Sequence, residues 1–281
     1  MPDIKLSDIE GDELFELGSS NVQTQETTYK SFVNIPQLQA VDPTGVELED
    51  FEVLIVDGWS YVAFNFDLST VTKISYEKDD GTLHEVINPT MTEISFYVHP
   101  TTGITKIRDS SESAPSGYDL INEHDSISLD VILSGPVEDN KIIIAKDYLG
   151  AAYLPEYNFN GVGNWHNYES MQVKTTEQII LTFTAKRHHR ILDNGQIQYG
   201  GTTVFGQGWT LVAPPLKYSG MPLEEIFEPF LEDLTICKNY LGAAYLPEWN
   251  FNGVGDTVRN QGLQVKMKNN NYHVVDFIEG E

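Results

Sequence analysis

The sequence predicts a mainly β fold of tandem β-sandwich-like modules, and three observations point there. Short runs of alternating apolar and polar residues recur about every ten positions, separated by Gly-, Asp- and Asn-rich turns. A sixteen-residue segment occurs twice, 92 residues apart: YLGAAYLPEYNFNGVG (148–163) and YLGAAYLPEWNFNGVG (240–255), differing only at Tyr157 and Trp249. Only one stretch, near 222–234, carries apolar residues at helical spacing.

The first thirty residues are polar and acidic, with Asp3, Asp8, Glu10, Asp12, Glu13 and Glu16, and read as an N-terminal arm. Strands follow. FEVLIVDGWSYVAFNF (51–66) holds two β-type runs around Asp57-Gly58. KISYEK and LHEVI flank Asp79-Asp80-Gly81-Thr82 as a hairpin, and EISFYV and ITKI flank a second turn at 99–103. DSSESAPSGYD (109–119) is the clearest loop. SISLDVIL (126–133) alternates like a half-buried strand. KIIIAK and LTICK enter the two repeats as buried strands, QIILTFTA (178–185) is another, and Asp193-Asn194-Gly195 is a turn. In PLEEIFEPFLEDL, Leu223, Ile226, Phe227, Phe230 and Leu231 share one helix face, and Pro229 kinks or shortens the helix.

The repeat organises the chain. Besides the acidic arm, 31–135 forms an N-terminal β region, 136–200 the first repeat module and 201–281 the second. GWSYVAF (58–64) resembles GWTLVAP (208–214), which allows a wider unit. That unit starts at a Gly-Trp strand and ends at a Gln-Val-Lys strand, and the first copy carries an insertion between Phe66 and Leu129.

Charge and composition exclude several functions. A formal charge of −25 argues against a nucleic-acid-binding face and against anionic membrane surfaces. A single cysteine, Cys237, rules out an intrachain disulfide framework and reads as a small core residue. No run of apolar residues is long enough for a transmembrane helix, and the first residues lack the pattern of a secretory signal.

Within the repeat, Pro155 and Pro247 bias Leu154 and Leu246 to be extended. Asn160, Gly161 and Gly163, with Asn252, Gly253 and Gly255, suit positive φ in a turn anchored by Phe159 or Phe251. The plain reading is scaffold. A sharper one makes Tyr153, Tyr157 and Trp165 in one unit, and Tyr245 and Trp249 in the other, sugar-stacking platforms, because aromatic planes beside Asn and Glu suit carbohydrate. Calcium is a third option through Glu248, Asn250, Asn252 and Asp256, but the spacing matches no calcium loop and Asn164 replaces the aspartate in the first copy. The expectation is therefore no metal and no cofactor.

No nucleophile elbow, zinc-protease helix, P-loop or dinucleotide fingerprint occurs. Paired carboxylates such as Glu224 and Glu225, or Glu228 and Glu232, fall on the solvent side of the one helix. KRHHR (186–190), with Arg187 and His188, is the one basic cluster and reads as a partner-facing patch that docks on an acidic neighbour. No catalytic constellation emerges, so the expectation is a protein that is not an enzyme.

The second unit has Gly208-Trp209, the helix, Lys238-Asn239, the 245–256 turn and the strand NQGLQVK (260–266). This order resembles a module of structural and fibre proteins of marine and cyanobacterial tailed phages and of some bacterial surface proteins. The module's pattern is a Gly-Trp strand, a short helix, an apolar run ending Lys-Asp/Asn, a YLPE-[YWF]-x-FNG-[IV]-GD turn and a Gly-Gln-Gly-Tyr-Gln-[IV]-Lys strand. Leu263 replaces the usual aromatic. The first unit departs further, with Asn164 for Asp and Tyr168-Glu169-Ser170-Met171 for the Gly-rich stretch, so its closing turn must differ. The resemblance covers about sixty residues of the second unit and about thirty of the first. It implies a homo-oligomeric virion protein of a tail, baseplate or fibre, made in a host cytoplasm. It assembles with other virion proteins and itself, and contacts a host-surface glycan. Rival readings are a capsid decoration or head-fibre protein and a glycan-binding adhesin.

Overall fold

Alternating apolar residues give strands that bury one face, and those strands pair in antiparallel fashion wherever the chain is described. A computed structural model describes residues 46–101, 104–167, 169–191, 197–212, 220–268 and 273–278. The acidic arm and the Asp193-Asn194-Gly195 turn lie outside the described residues. The fold is mainly β and sandwich-like, as the sequence predicts.

The two copies have the same topology. In the first, a five-stranded sheet runs Phe159–Asn160, Ala152–Leu154, Ile142–Lys146, Met171–Thr175 and Gly58–Val62. In the second, the matching order is Phe251–Asn252, Ala244–Leu246, Leu234–Lys238, Leu263–Met267 and Trp209–Val212. The register repeats too: Lys174 lies opposite Trp59, and Lys266 opposite Trp209. Even the irregularity in the apolar strand recurs, skipping Ile143 in one copy and Thr235 in the other.

A second layer closes each unit. The strand before Gly-Trp pairs with the strand after Gln-Val-Lys: Glu49–Ile55 with Ile179–Ala185, and Ile197–Phe205 with His273–Ile278. Strand pairing therefore follows the wider of the two ways of drawing the first unit. A division at 135/136 would separate the Gly58–Val62 strand from the Met171–Thr175 strand that it is hydrogen-bonded to. A division at 200/201 would cut the Ile197–Phe205 strand.

The insertion in the first copy has two parts. The Lys73–Glu77/Leu83–Ile87 hairpin extends the outer layer. Met91–Val98, Thr105–Asp109 and Asp119–Ser128 form a separate sheet with Asn164–Trp165. The turn between the first two strands is built as an Asx turn: Asp80 Oδ1 accepts from the Thr82 amide, and Gly81 has φ +78°.

Helices occupy the same place in both copies, which corrects two expectations. The predicted helix is real but short: Leu223–Phe227 is α, and Glu228–Asp233 continues as 3-10 with a kink at Phe230. The kink turns Leu231 outward, so it leaves the buried face. In the first copy the strand through 126–133 stops at Ser128, and Leu129–Ile132 and Ser134–Glu138 are helical. Leu129, Ile132 and Leu133 are buried at helical spacing, so the core rewards a helix where alternation had suggested a strand.

Two cores result. In the first, Phe64 stacks near Trp165, Phe183 and Phe66 at centroid distances of 4.3, 5.1 and 5.3 Å. In the second, Phe205, Phe227 and Phe230 meet at 4.9 to 5.6 Å. Cys237 lies in this core as a small hydrophobe, and burial pushes its thiol up.

The repeats meet each other about a local two-fold relation. Val62 bridges Gln261, and the equivalent Val212 bridges Glu169. The Gly262 amide donates to the Tyr61 carbonyl at 2.9 Å, and the Ser170 amide to the Leu211 carbonyl at 3.3 Å. Residues 170 and 262 are equivalent in the repeat and sit against each other on that axis. This is the self-complementary contact of a two-fold dimer, made within one chain.

Candidate functional site

The repeated segment folds into one hydrogen-bonded turn in both copies. Its positive φ values fall at Gly150 and Gly242, at Asn158 and Asn250 (50° and 47°) and at Gly163 and Gly255, not at Asn160 or Gly161. Gly161 is needed for a different reason. A Cβ there would lie 2.9 Å from the Phe159 ring and 3.1 Å from the Ala152 carbonyl, and Gly253 repeats the arrangement. Phe159 and Phe251 are half exposed, so they do not anchor the turn.

The anchor is an asparagine. Asn160 donates to Asp130 (2.8 Å) and to the Gly163 carbonyl (3.0 Å), and accepts from the Gly163 amide (2.7 Å). Asn252 repeats these bonds with Glu224 (3.0 Å), the Gly255 carbonyl (3.2 Å) and the Gly255 amide (2.8 Å). The Asn252 side-chain oxygen is thus engaged within the turn rather than offered to a cation. Each anchoring carboxylate comes from the short helix, which explains why a helix precedes the turn in both copies. We expect Asn160→Ala and Asn252→Ala each to cost about 1–3 kcal/mol, by removing the hydrogen bonds that close the turn. Urea unfolding of the singles and the double should show nearly equal, additive losses.

The structure separates the aromatic candidates. Tyr157 and Trp249 are 71% and 73% exposed, at equivalent positions. Tyr153 and Tyr245 are buried beneath the turn, and Trp165 is fully buried in the first core. These three present no open face, so they are not stacking platforms. Tyr153 instead faces Asp130, and burial together with that carboxylate pushes its hydroxyl up to about 12. Tyr245 is raised in the same sense by burial and by Glu224. Strand alternation explains the error: Tyr153 and Tyr245 fall on the inward side of their strands, whereas the exposed pair sits on the 3-10 turn after Pro155 or Pro247.

The basic cluster is also used internally. Arg187 pairs with Glu49 at 2.7 Å, and His188 Nε2 lies 3.2 Å from the Asn167 amide nitrogen. Burial lowers the His188 pKa. A patch free to dock on an acidic neighbour is not what these two residues form.

One difference between the copies tests the turn's electrostatics. Asp147 accepts from the Ala151 amide, and Asn239 does the same from Ala243 in the second copy. Burial and the nearby Glu169 raise the Asp147 pKa. A carboxyl whose folded pKa is raised subtracts stability as pH rises through its titration. Asp147→Asn should therefore raise the melting temperature near neutral pH and leave it unchanged on the acid side of the carboxylate range. Equal gains at both would sink the assignment.

Sequence reasoning missed the outward face of the five-stranded sheets. Trp59 and Trp209 are 40% and 39% exposed. Lys146 and Lys174 lie over the Trp59 ring, each at 5.7 Å from its centroid. Lys238 and Lys266 lie over Trp209 at 5.3 and 5.5 Å. The signal was present in the Gly-Trp and Gln-Val-Lys strings, but only their pairing places these residues together. Among the described residues, no group of three or more His, Cys, Asp and Glu side chains is placed to hold a metal. Comparison of the chain with protein-family models, with curated proteins and with solved structures finds no match.

Proposed function

We propose that the chain is a non-enzymatic structural protein of a tailed-phage particle, part of the tail, baseplate or fibre. In this reading it holds two copies of one contact module in a fixed mutual orientation and so mediates assembly and contact with a host surface. The observation that carries the reading is the paired exposure. Leu149 and Leu241, Tyr157 and Trp249, and Phe159 and Phe251 stand equally exposed in the two copies. Large apolar side chains held on rigid turns, and held twice, are a feature of interaction surfaces. The module resemblance supplies the particle.

The test is quantitative mass spectrometry of purified particles, with light scattering of the isolated protein. A few copies per particle and a stable oligomer in solution support an appendage. Enough copies to coat the head favours the decoration reading. Absence from the particles overturns both.

A further inference from the structure

We infer that the outward faces around Trp59 and Trp209 are two equivalent binding sites for an acidic polysaccharide. In each, the indole stacks on a sugar ring and the two flanking lysines pair with its carboxylate or sulfate groups. The inference rests on the host-contact half of the reading above and names the ligand class.

Strand pairing fixes the face. Trp59 lies opposite Lys174, Tyr61 opposite Gln172, Gln172 opposite Lys146 and Lys174 opposite Ile144. Directly opposed residues share a side of a sheet. The second copy repeats the set with Trp209, Leu211, Gln264, Lys266, Ile236 and Lys238. Between copies, five of the six positions on this side are identical, the exception being Tyr61/Leu211, where Leu211 is buried. On the inward side of the same strands, Val62/Val212 and Val173/Val265 are identical, whereas Ser60/Thr210, Met171/Leu263, Ile142/Leu234, Ala145/Cys237 and Thr175/Met267 differ. Greater drift on the buried side than on the open side is the reverse of what scaffolding alone produces, because packing constrains a core and leaves a surface free.

Charge narrows the ligand. The chain carries 17 basic against 42 acidic residues. Yet among the described residues, none of Lys146, Lys174, Lys238 and Lys266 has an ion-pair partner. Two unpaired ammonium groups on one indole form a cationic, aromatic spot that an anionic ring complements from both sides. The Tyr61 hydroxyl reaches the Gln264 side-chain oxygen at 3.5 Å, so the two faces adjoin across the local two-fold relation. A polymer can therefore engage both sites, and the second contact becomes intramolecular.

The experiment uses the full chain with four probes of similar length: polygalacturonate, heparin, neutral dextran and poly-glutamate. Binding is followed by calorimetry at low and moderate salt. We expect polygalacturonate or heparin to bind in a salt-weakened manner, and dextran not to bind. Trp59→Ala or Trp209→Ala should weaken binding about 100-fold through lost avidity, and the double variant should abolish it. Lys174→Gln and Lys266→Gln keep the strands' packing and should weaken binding in the same direction. No binding of either acidic polysaccharide overturns the inference. So does equal binding of poly-glutamate that survives loss of both tryptophans, which would point to an acidic protein partner. Particle incorporation is read separately, so failure here leaves the virion reading to its own test.

Discussion

Gly262→Ala is expected to destabilise the protein by about 3 kcal/mol or more, the upper end of what overpacking costs. A Cβ on Gly262 would fall far inside contact distance of the Ser170 Cβ and Oγ, and 3.3 Å from the Tyr61 Cβ. Ser170 cannot yield by rotating, since its own Cβ is one of the atoms struck. The clash lies on the axis where the repeats exchange backbone hydrogen bonds, so relief would separate Gly262 from Tyr61 and Ser170 from Leu211. The decisive control is Ser170→Gly. The Ser170 hydroxyl is buried without a hydrogen-bond partner, so its removal should cost little. Ser170→Gly/Gly262→Ala transfers the side chain to the other repeat and should restore most of the stability. Urea unfolding of the three variants measures this. If the double variant is as unstable as Gly262→Ala alone, the two residues are not each other's obstacle.

Trp165→Ala should lose about 3–5 kcal/mol, a large share of the roughly 5–15 kcal/mol by which a domain is stable. The indole is fully buried, lies 4.3 Å from the Phe64 ring, and donates through Nε1 to the Glu169 carbonyl at 3.0 Å. Removing it opens a cavity in the first core and frees the segment that bridges to Val212 in the second repeat. Trp249→Ala should stay within about 0.5 kcal/mol, because that side chain stands in solvent. Chemical denaturation of both variants separates the two roles. A Trp165→Ala protein of native stability would contradict the core assignment.

Much of this architecture was legible in the sequence because its signals are local. Asp79-Asp80-Gly81-Thr82 makes its hairpin through its own side chain and glycine, and the 51–66 alternation yields strands that break at Val56-Asp57, just before Gly58. The duplication was visible as identity, and from it followed that whatever one turn does, the other does. The shortened helix followed from Pro229 alone, since a proline removes a donor and clashes with the preceding turn.

What tertiary structure alone decided is which side of each alternating strand is covered and what each polar side chain meets. A period of two says that Trp59 and Tyr61 share a face; only pairing with strands far along the chain adds Lys146 and Lys174 to that face. The same blindness placed Trp165, Tyr153 and Tyr245 among ligand contacts, although each faces inward, and left Arg187 and His188 free, although Glu49 and Asn167 meet them across the fold. The sequence by itself determined two copies of one β module. That they turn toward each other with Ser170 and Gly262 on the axis was decided by long-range backbone hydrogen bonds, whose partners no local pattern encodes.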